Sequence, residues 1–428
     1  MSHCIAIVGS GPSGFYALDG LLRALPGARI DIIDRLPTPY GLVRFGVAPD
    51  HQGTKAVARQ FERLAQKPGV RFLGNVEVGR DVSLGELRQL YDAVVIATGA
   101  AQDRRLGVPG EDLPGVFGSW SVVGWYNGHP DFADLGFALP GPSVAVIGNG
   151  NVAIDLVRVL AKTEEEMKAS DLCAHAAAVI RSASLTDIWM IGRRGPADAS
   201  FTSPELAELG LLSRAVPVVE GAEIPAASAA TDPAIARIRD RNLEILRGFA
   251  GNVAGSKPIT LHLLFNATPL GFEGGDRLER IALRDGGSGR QWSVAAQAAI
   301  TAVGYRSEPL KEARFDVEAG RFANEEGRVD AGLYVVGWAR RGPSGVIATN
   351  RADSLAVVAR LVAELGGLAG GRDGPAKLDG LLSERGCAVV DFGGWQRIEK
   401  AELAEGSRTG SVRRKIHRMQ DLLHAARG

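Results

Sequence analysis

Cys4-Ile5-Ala6-Ile7-Val8-Gly9-Ser10-Gly11-Pro12-Ser13-Gly14 is a five-residue apolar run that breaks into a Gly-x-Gly-x-x-Gly turn. An apolar run of this length reads as a strand buried on both faces. A helical pattern follows over 15–25, then a second strand pattern over 29–34, ending in Asp34, 20 residues beyond Gly14. Strand, glycine turn, helix, strand and terminal acid is the layout of a dinucleotide-binding unit. Gly9 permits the tight turn, Gly11 lets the backbone approach a pyrophosphate, and Gly14 lets helix and strand pack closely. The helix start offers free N–H groups and partial positive charge to the phosphates. Asp34 would accept a hydrogen bond from a ribose hydroxyl.

The same unit returns over 143–147, with the turn Gly148-Asn149-Gly150-Asn151-Val152-Ala153 and a helix over about 152–162. A polar, Ala-rich insertion leads to its next strand, 186–191. That strand ends without an acid, in Gly192-Arg193-Arg194-Gly195-Pro196. An acid repels a 2′-phosphate, and paired arginines bind one. The first site therefore suits a dinucleotide with a free adenosine ribose, and the second suits NADP. Charged hydrogen bonds contribute about 1.5–3 kcal/mol each. Arg193 and Arg194 would thus favour the phosphorylated cofactor by at most roughly 3–6 kcal/mol, on the order of 10²–10⁴-fold. The expected fold class is α/β, with two Rossmann-like dinucleotide-binding domains. Two such sites suggest a relay from NADPH to a bound flavin, and Val94-Val95-Ile96-Ala97-Thr98-Gly99 fits a crossing point between the domains. Further strands are expected over 93–97, 259–265, 298–303 and 333–336. Residues 37–50 and 366–375 are expected as loops.

Composition narrows the function class. The chain has 428 residues, 49 basic and 49 acidic, with 45% apolar and 23% charged residues. The balance argues against bulk binding to nucleic acid or a membrane surface. Cys4, Cys173 and Cys387 form no CxxC pair and no iron–sulfur pattern, and they fit a reducing, cytoplasmic compartment. No apolar stretch reaches membrane-spanning length, no leader is expected before Cys4, and the seven histidines show no metal spacing.

Several longer segments carry a family resemblance. The stretch Pro39-Tyr40-Gly41-Leu42-Val43-Arg44-Phe45-Gly46-Val47-Ala48-Pro49-Asp50-His51 resembles a signature of the adrenodoxin reductase-like ferredoxin–NADP reductases. So do Gly74-Asn75-Val76-Glu77-Val78-Gly79, Val123-Gly124-Trp125-Tyr126-Asn127-Gly128, Arg193-Arg194-Gly195-Pro196, and Gly337-Trp338 with Arg341-Gly342-Pro343-Ser344-Gly345-Val346-Ile347. The resemblance implies a glutathione-reductase-like fold without a redox disulfide. An FAD domain would be built from 1–106 and 331–428, with an NADP domain, 107–330, inserted between. It implies non-covalent FAD, hydride delivery from NADPH, and single electrons passed to a ferredoxin that feeds a partner such as a cytochrome P450. FAD contacts would come from Ser13, Asp34, Leu42, Val78, Trp338, Gly345 and Ile347, beside the turn glycines. NADP contacts would come from Gly150, Asn151, Val152, Arg193, Arg194 and Glu205. His51 and Glu208 match positions at the flavin and nicotinamide edge, and Arg237 and Arg241 match positions facing an acidic ferredoxin.

Physical readings stand beside these. The start Gly345-Val346-Ile347 opens a helical pattern to about 365, whose dipole would stabilise negative charge on a reduced flavin. Cofactors carry hydride chemistry, so His51 and Glu208 would tune orientation; a structural histidine competes. A core tryptophan competes for Trp338. Arg237 and Arg241 are spaced i, i+4 and share a face that would steer an acidic partner; a plain solvated helix competes. Arg413, Arg414, Lys415 and Arg418 read as a solvated helix face. Monomer is the expected state. Architecture alone also admits a flavin monooxygenase or a flavoprotein redox sensor.

Overall fold

The computed structural model describes residues 2–345, 347–366 and 370–428. The chain divides into two compact units. One comprises the residues up to Gln102, Asn127–Pro130 and Gly304–Gly428; the other comprises Asp103–Tyr126 and Asp131–Val303.

The first unit is built on a six-stranded sheet in the order Arg328–Asp330, Leu333–Val335, Ala93–Ile96, Cys4–Val8, Arg29–Ile33, Val70–Leu73. All neighbours are parallel except the outer pair at Arg328–Asp330. Every residue of Cys4–Val8 is buried, as its unbroken apolar run requires. Alternation sends Ile5 and Ile7 to one face, where they meet Phe15, Leu18 and Leu21 of the helix Pro12–Ala24 and Val357, Val358 and Leu361 of the helix Ile347–Leu365. Cys4, Ala6 and Val8 face the other way, toward Leu84, Leu87, Leu378 and Leu382.

The second unit repeats the plan, with six parallel strands in the order Val116–Gly118, Ala298–Thr301, Ser143–Ile147, Asp187–Ile191, Ile259–Leu264, Ala215–Glu220. The helix Asn151–Ala161 packs on one face. The other face is covered by an antiparallel meander of Ala267–Glu273, Arg280–Asp285 and Gln291–Ala295, which buries Phe272, Ile281 and Leu283 against Ala145, Ile147 and Ile191.

The structure differs from the sequence reading in several regions, among them the expected loops 37–50 and 366–375, which hold the helical turn Leu42–Phe45 and the start of the helix Gly374–Glu384. Residues 304–330 and 127–130, assigned there to the inserted segment, belong to the first unit, and 103–106, assigned there to the FAD domain, belong to the second; Arg328–Asp330 pairs with Leu333–Val335 at the first unit's sheet edge. The Ala-rich insertion holds a helix, Ala174–Ser182, in keeping with alanine's high helix propensity. Arg413–Arg418 is not a solvated helix face. Residues 413–417 belong to no helix or strand, and Lys415 is buried at 6% exposure. The helix there begins only at Met419. Arg413 is held by Glu399 and Glu402, so its charge is spent inside the unit.

Candidate functional site

Each unit carries a glycine turn between its central strand and its first long helix, and the two turns share one construction. The N–H of Gly9 donates to the Ile33 carbonyl, and that of Gly148 donates to the Ile191 carbonyl, both at 2.8 Å. Gly9 has φ 108° and Gly148 φ 148°, in the region that favours glycine. A Cβ on Gly9 would lie 2.5 Å from the Ala97 carbonyl oxygen, and one on Gly148 would collide with the Ala302 carbonyl oxygen. The Ala97-Thr98-Gly99 segment therefore forms the wall of the first turn.

The second glycine of each turn behaves differently. A Cβ on Gly11 would meet only the Gly41 Cα, at 4.0 Å, and one on Gly150 would meet nothing within 4 Å. Bareness here is not needed for internal packing; it leaves the backbone open to a bound group. Gly11 and Gly150 are also the N-caps of the helices Pro12–Ala24 and Asn151–Ala161, and neither cap carries a side-chain hydrogen bond. Both helix starts thus keep N–H groups for an anion. These features fit a dinucleotide pyrophosphate at each turn.

The rims of the two turns are opposite in charge. Asp34 follows the strand Arg29–Ile33, and its Oδ2 accepts from the Ser10 N–H at 2.8 Å and the Ser10 hydroxyl at 2.6 Å. Its Oδ1 accepts from the Leu36 N–H at 2.9 Å. A carboxylate offers about four acceptor positions, so one remains for a ribose hydroxyl. In the second unit Asn149 stands where Ser10 stands, and Gly192 stands where Asp34 stands. The Asn149 amide fills the space a Gly192 side chain would need. Its Oδ1 and Nδ2 are buried without a hydrogen-bond partner, a pattern that suits a bound polar group. Arg193 and Arg194 come next, both exposed and, among the described residues, without an ion-pair partner.

The remaining candidates of the first unit lie around its turn. Leu42 starts the helical turn Leu42–Phe45, whose N-cap Gly41 would collide with Gly11 if it bore a Cβ. Ser13 adjoins Gly337, which leaves no room for a side chain there, and its carbonyl accepts from the Ser354 hydroxyl at 3.1 Å. Trp338 is half-buried, with Nε1 donating to the Ser344 carbonyl at 3.1 Å. Val78 is buried in the segment after Val76, whose N–H donates to the Asp34 carbonyl. Gly345 has φ 80°, and Ile347 begins the long helix. Val346 lies outside the described residues. His51 caps the helical turn Gln52–Lys55, and its N–H donates to the Ala48 carbonyl.

In the second unit, Asn151 receives the Thr202 N–H on Oδ1 at 2.8 Å, just before the short helix Ser203–Glu208. Glu205 and Glu208 are half-buried on that helix. The buried Arg158 reaches Glu208 at 3.1 Å and Asp155 at 2.7 Å. Asn151 and Arg158, one at each end of the dinucleotide helix, thus fix the short acidic helix. The sequence reading missed Arg158 and the Ser10–Asp34 pair. A basic residue inside an otherwise apolar helix, Val157-Arg158-Val159-Leu160, was the available signal for Arg158.

Arg237 and Arg241 are exposed on the helix Pro233–Ala250. Arg241 is paired with Glu244 at 2.5 Å; Arg237 has no ion-pair partner among the described residues. Ile235 and Ile238, at 48% and 50% exposure, stand on the same stretch.

The sequence model for pyridine nucleotide-disulphide oxidoreductases matches residues 3–244, which contain both turns. The chain belongs to this family. Among curated relatives it is similar to the NADPH-ferredoxin reductase FprA of Mycobacterium tuberculosis, 38% identical over 453 residues covering 100% of this chain and 99% of the relative. It is also similar to the mitochondrial NADPH:adrenodoxin oxidoreductase of Arabidopsis thaliana, 37% identical over 458 residues covering 99% and 95%. The solved structure of Mycobacterium tuberculosis FprA in complex with NADPH matches with a TM-score of 0.95 at 37% identity, covering both chains in full. This resolves the fold class expected from the sequence as that of the family. Despite the family's name, Cys4, Cys173 and Cys387 of this member form no disulfide among the described residues.

Proposed function

We propose that this pyridine nucleotide-disulphide oxidoreductase is an NADPH-dependent ferredoxin reductase that holds FAD at its first turn and binds NADPH at its second. One observation carries the assignment of the two turns: the exchange of Ser10 and Asp34 for Asn149 and Gly192, followed by two exposed arginines. The relatives' activity supports the same reading. When bound, FAD supplies the conversion of a two-electron donor into single-electron delivery. The chain's part is to bind and orient. Gly11 and Gly150 admit the pyrophosphates, Asp34 takes the ribose, and Arg193 and Arg194 take the 2′-phosphate. Glu205 and Glu208, fixed by Asn151 and Arg158, orient the reduced nicotinamide, and His51 tunes the orientation of the flavin. The chain has no CxxC pair, so FAD held at the first turn would be the group that supplies electrons to the protein partner.

The partner is an acidic ferredoxin that serves an oxidase such as a cytochrome P450, and the enzyme works as a cytoplasmic monomer. Arg237 and Arg241 supply charge for docking, while Ile235 and Ile238 supply apolar contact area. The decisive experiment is anaerobic stopped flow, in which NADPH should bleach the flavin band and added ferredoxin should restore it. Oxygen consumption tied to a small organic substrate would instead establish a monooxygenase. Arg237→Glu with Arg241→Glu should slow ferredoxin reduction about tenfold or more at low salt and spare ferricyanide reduction. Equal loss in both assays would move the docking face elsewhere.

A further inference from the structure

A buried charge cluster of the first unit is used by none of the assignments above. Glu402, on the helix Phe392–Thr409, is fully buried. Arg44 grips it with both terminal nitrogens, at 3.0 and 2.5 Å. Arg413 donates to the same carboxylate at 3.0 Å, and the Ile416 N–H does so at 2.9 Å. Burial by itself would raise the Glu402 carboxyl, but the two guanidinium groups more than offset it and hold it below the usual range. Lys415, also buried, donates to the Arg44 carbonyl at 3.2 Å and to Asn127 Oδ1 at 3.1 Å. Asn127 donates in turn to the Val47 carbonyl at 3.1 Å.

Every one of these bonds ends on the segment 44–47 or on a residue that holds it. That segment continues a strained turn. Tyr40 has φ 83°, unusual for a residue with a side chain, and Gly41 follows at φ 48°. The Tyr40 N–H donates to the Ser10 carbonyl at 2.9 Å, and Gly41 abuts Gly11. The Tyr40 ring meets Trp395 edge-on at 5.7 Å, and the Arg44 guanidinium lies 5.1 Å from the Trp395 ring. Such a turn persists only where its surroundings over-determine it.

We propose that Glu402 and Lys415 are positioning residues for the flavin site. The C-terminal strap over 413–416 and the helix before it clasp the loop 40–47 onto the first glycine turn, and the clasp sets how slowly FAD leaves. The proposal rests on the reading of that turn as the FAD site. A plain stabilising role would lower the melting temperature without a selective effect on flavin release.

The test compares FAD release from purified full-length holoprotein, followed by flavin fluorescence, in Lys415→Met, Glu402→Gln, Lys415→Arg and Arg71→Met. Arg71→Met is the control, because Arg71 is ion-paired to Asp31 and Asp379 in the same unit rather than to the loop. Lys415→Met and Glu402→Gln should release FAD at least tenfold faster than the wild type. Lys415→Arg should restore a slow rate. Arg71→Met should stay within twofold of the wild type for a comparable loss in Tm. Lys415→Met leaves Glu402 paired with Arg44 and Arg413, so it carries the test if Glu402→Gln fails to fold. Wild-type release rates in Lys415→Met, or equally fast release from Arg71→Met, overturn the clasp alone. A wild-type protein that neither carries nor takes up FAD overturns the flavin reading, and the clasp with it.

Discussion

The two glycine turns solve one backbone problem with different side chains. In both, the first glycine is pressed against a neighbouring strand's carbonyl and the second is left bare. They part at the third position. A Cβ on Gly14 would collide with the Gly9 carbonyl, whereas the second turn accepts the methyl of buried Ala153. They part again at the rim, where Ser10 with Asp34 is replaced by Asn149 with Gly192. Only one bulky polar group fits between the turn and the end of the next strand. In the first unit it comes from the strand and is anionic; in the second it comes from the turn and is neutral. A neutral group there lets the arginines that follow act on a phosphate unopposed.

The comparison breaks if the arginines do not distinguish the two turns. Arg193→Ala with Arg194→Ala should raise KM for NADPH by up to roughly 10²–10⁴-fold, about 3–6 kcal/mol, and barely change KM for NADH. Steady-state kinetics with both nucleotides checks it, and equal effects remove the assigned role. Next in size is the third position. Gly14→Ala should destabilise the first unit by about 1–3 kcal/mol and strip FAD from the purified protein. Ala153→Gly should cost only about 1 kcal/mol of helix stability and leave FAD in place. Flavin content and thermal unfolding separate the two variants.

The rim exchange can be sharpened by transplanting it. Gly192→Asp alone should be poorly folded, because Asn149 occupies the space. Asn149→Ser with Gly192→Asp should fold and lower the preference for NADPH over NADH about tenfold, roughly 1.4 kcal/mol. A double variant with unchanged preference would show that the rim acid has no part in discrimination.

The smallest contrast concerns two acidic caps. Hydrogen bonds from Arg385, then from the Ser83 N–H, hold the Glu86 carboxyl down to about 2. In the second unit, burial pushes Glu166 up, and bonds from the Thr163 and Ser213 N–H groups outweigh it, leaving it lowered. A depressed carboxyl contributes stability that is complete above its unfolded value, near 4.5, and is lost as pH falls through the folded value. Glu86→Gln should therefore flatten the fall in Tm between about pH 4.5 and 2. Glu166→Gln should do so less, since among the described residues no guanidinium pairs with Glu166 in the way Arg385 pairs with Glu86.

Much of the plan was legible because it is local. Ile5 and Ile7 alternate with Cys4, Ala6 and Val8 in a strand that needs both faces covered, and the glycine spacing follows from backbone sterics over a few residues. The meander over 267–295 was not legible. Its strands are half-exposed, and they become strands by pairing with one another over a covered sheet face. Arg413 and Lys415 misled for a related reason. A run of basic residues reads as solvated unless its acidic partners, here Glu399 and Glu402, are known to be close in space.

The amino-acid order alone determined that this chain holds two strand–glycine-turn–helix units, that the first ends in an acid and the second in two arginines, and that no cysteine pair separates them from the electron acceptor. Those are properties of neighbours along the chain. Tertiary structure decided which carbonyl closes each turn, why Gly192 must be bare beside Asn149, and where the charge of the C-terminal strap goes. Glu402 and Arg44 stand 358 positions apart and meet at 2.5 Å. Only the packed fold brings such groups together in a buried place, where each charge must find its partner or be too costly to keep.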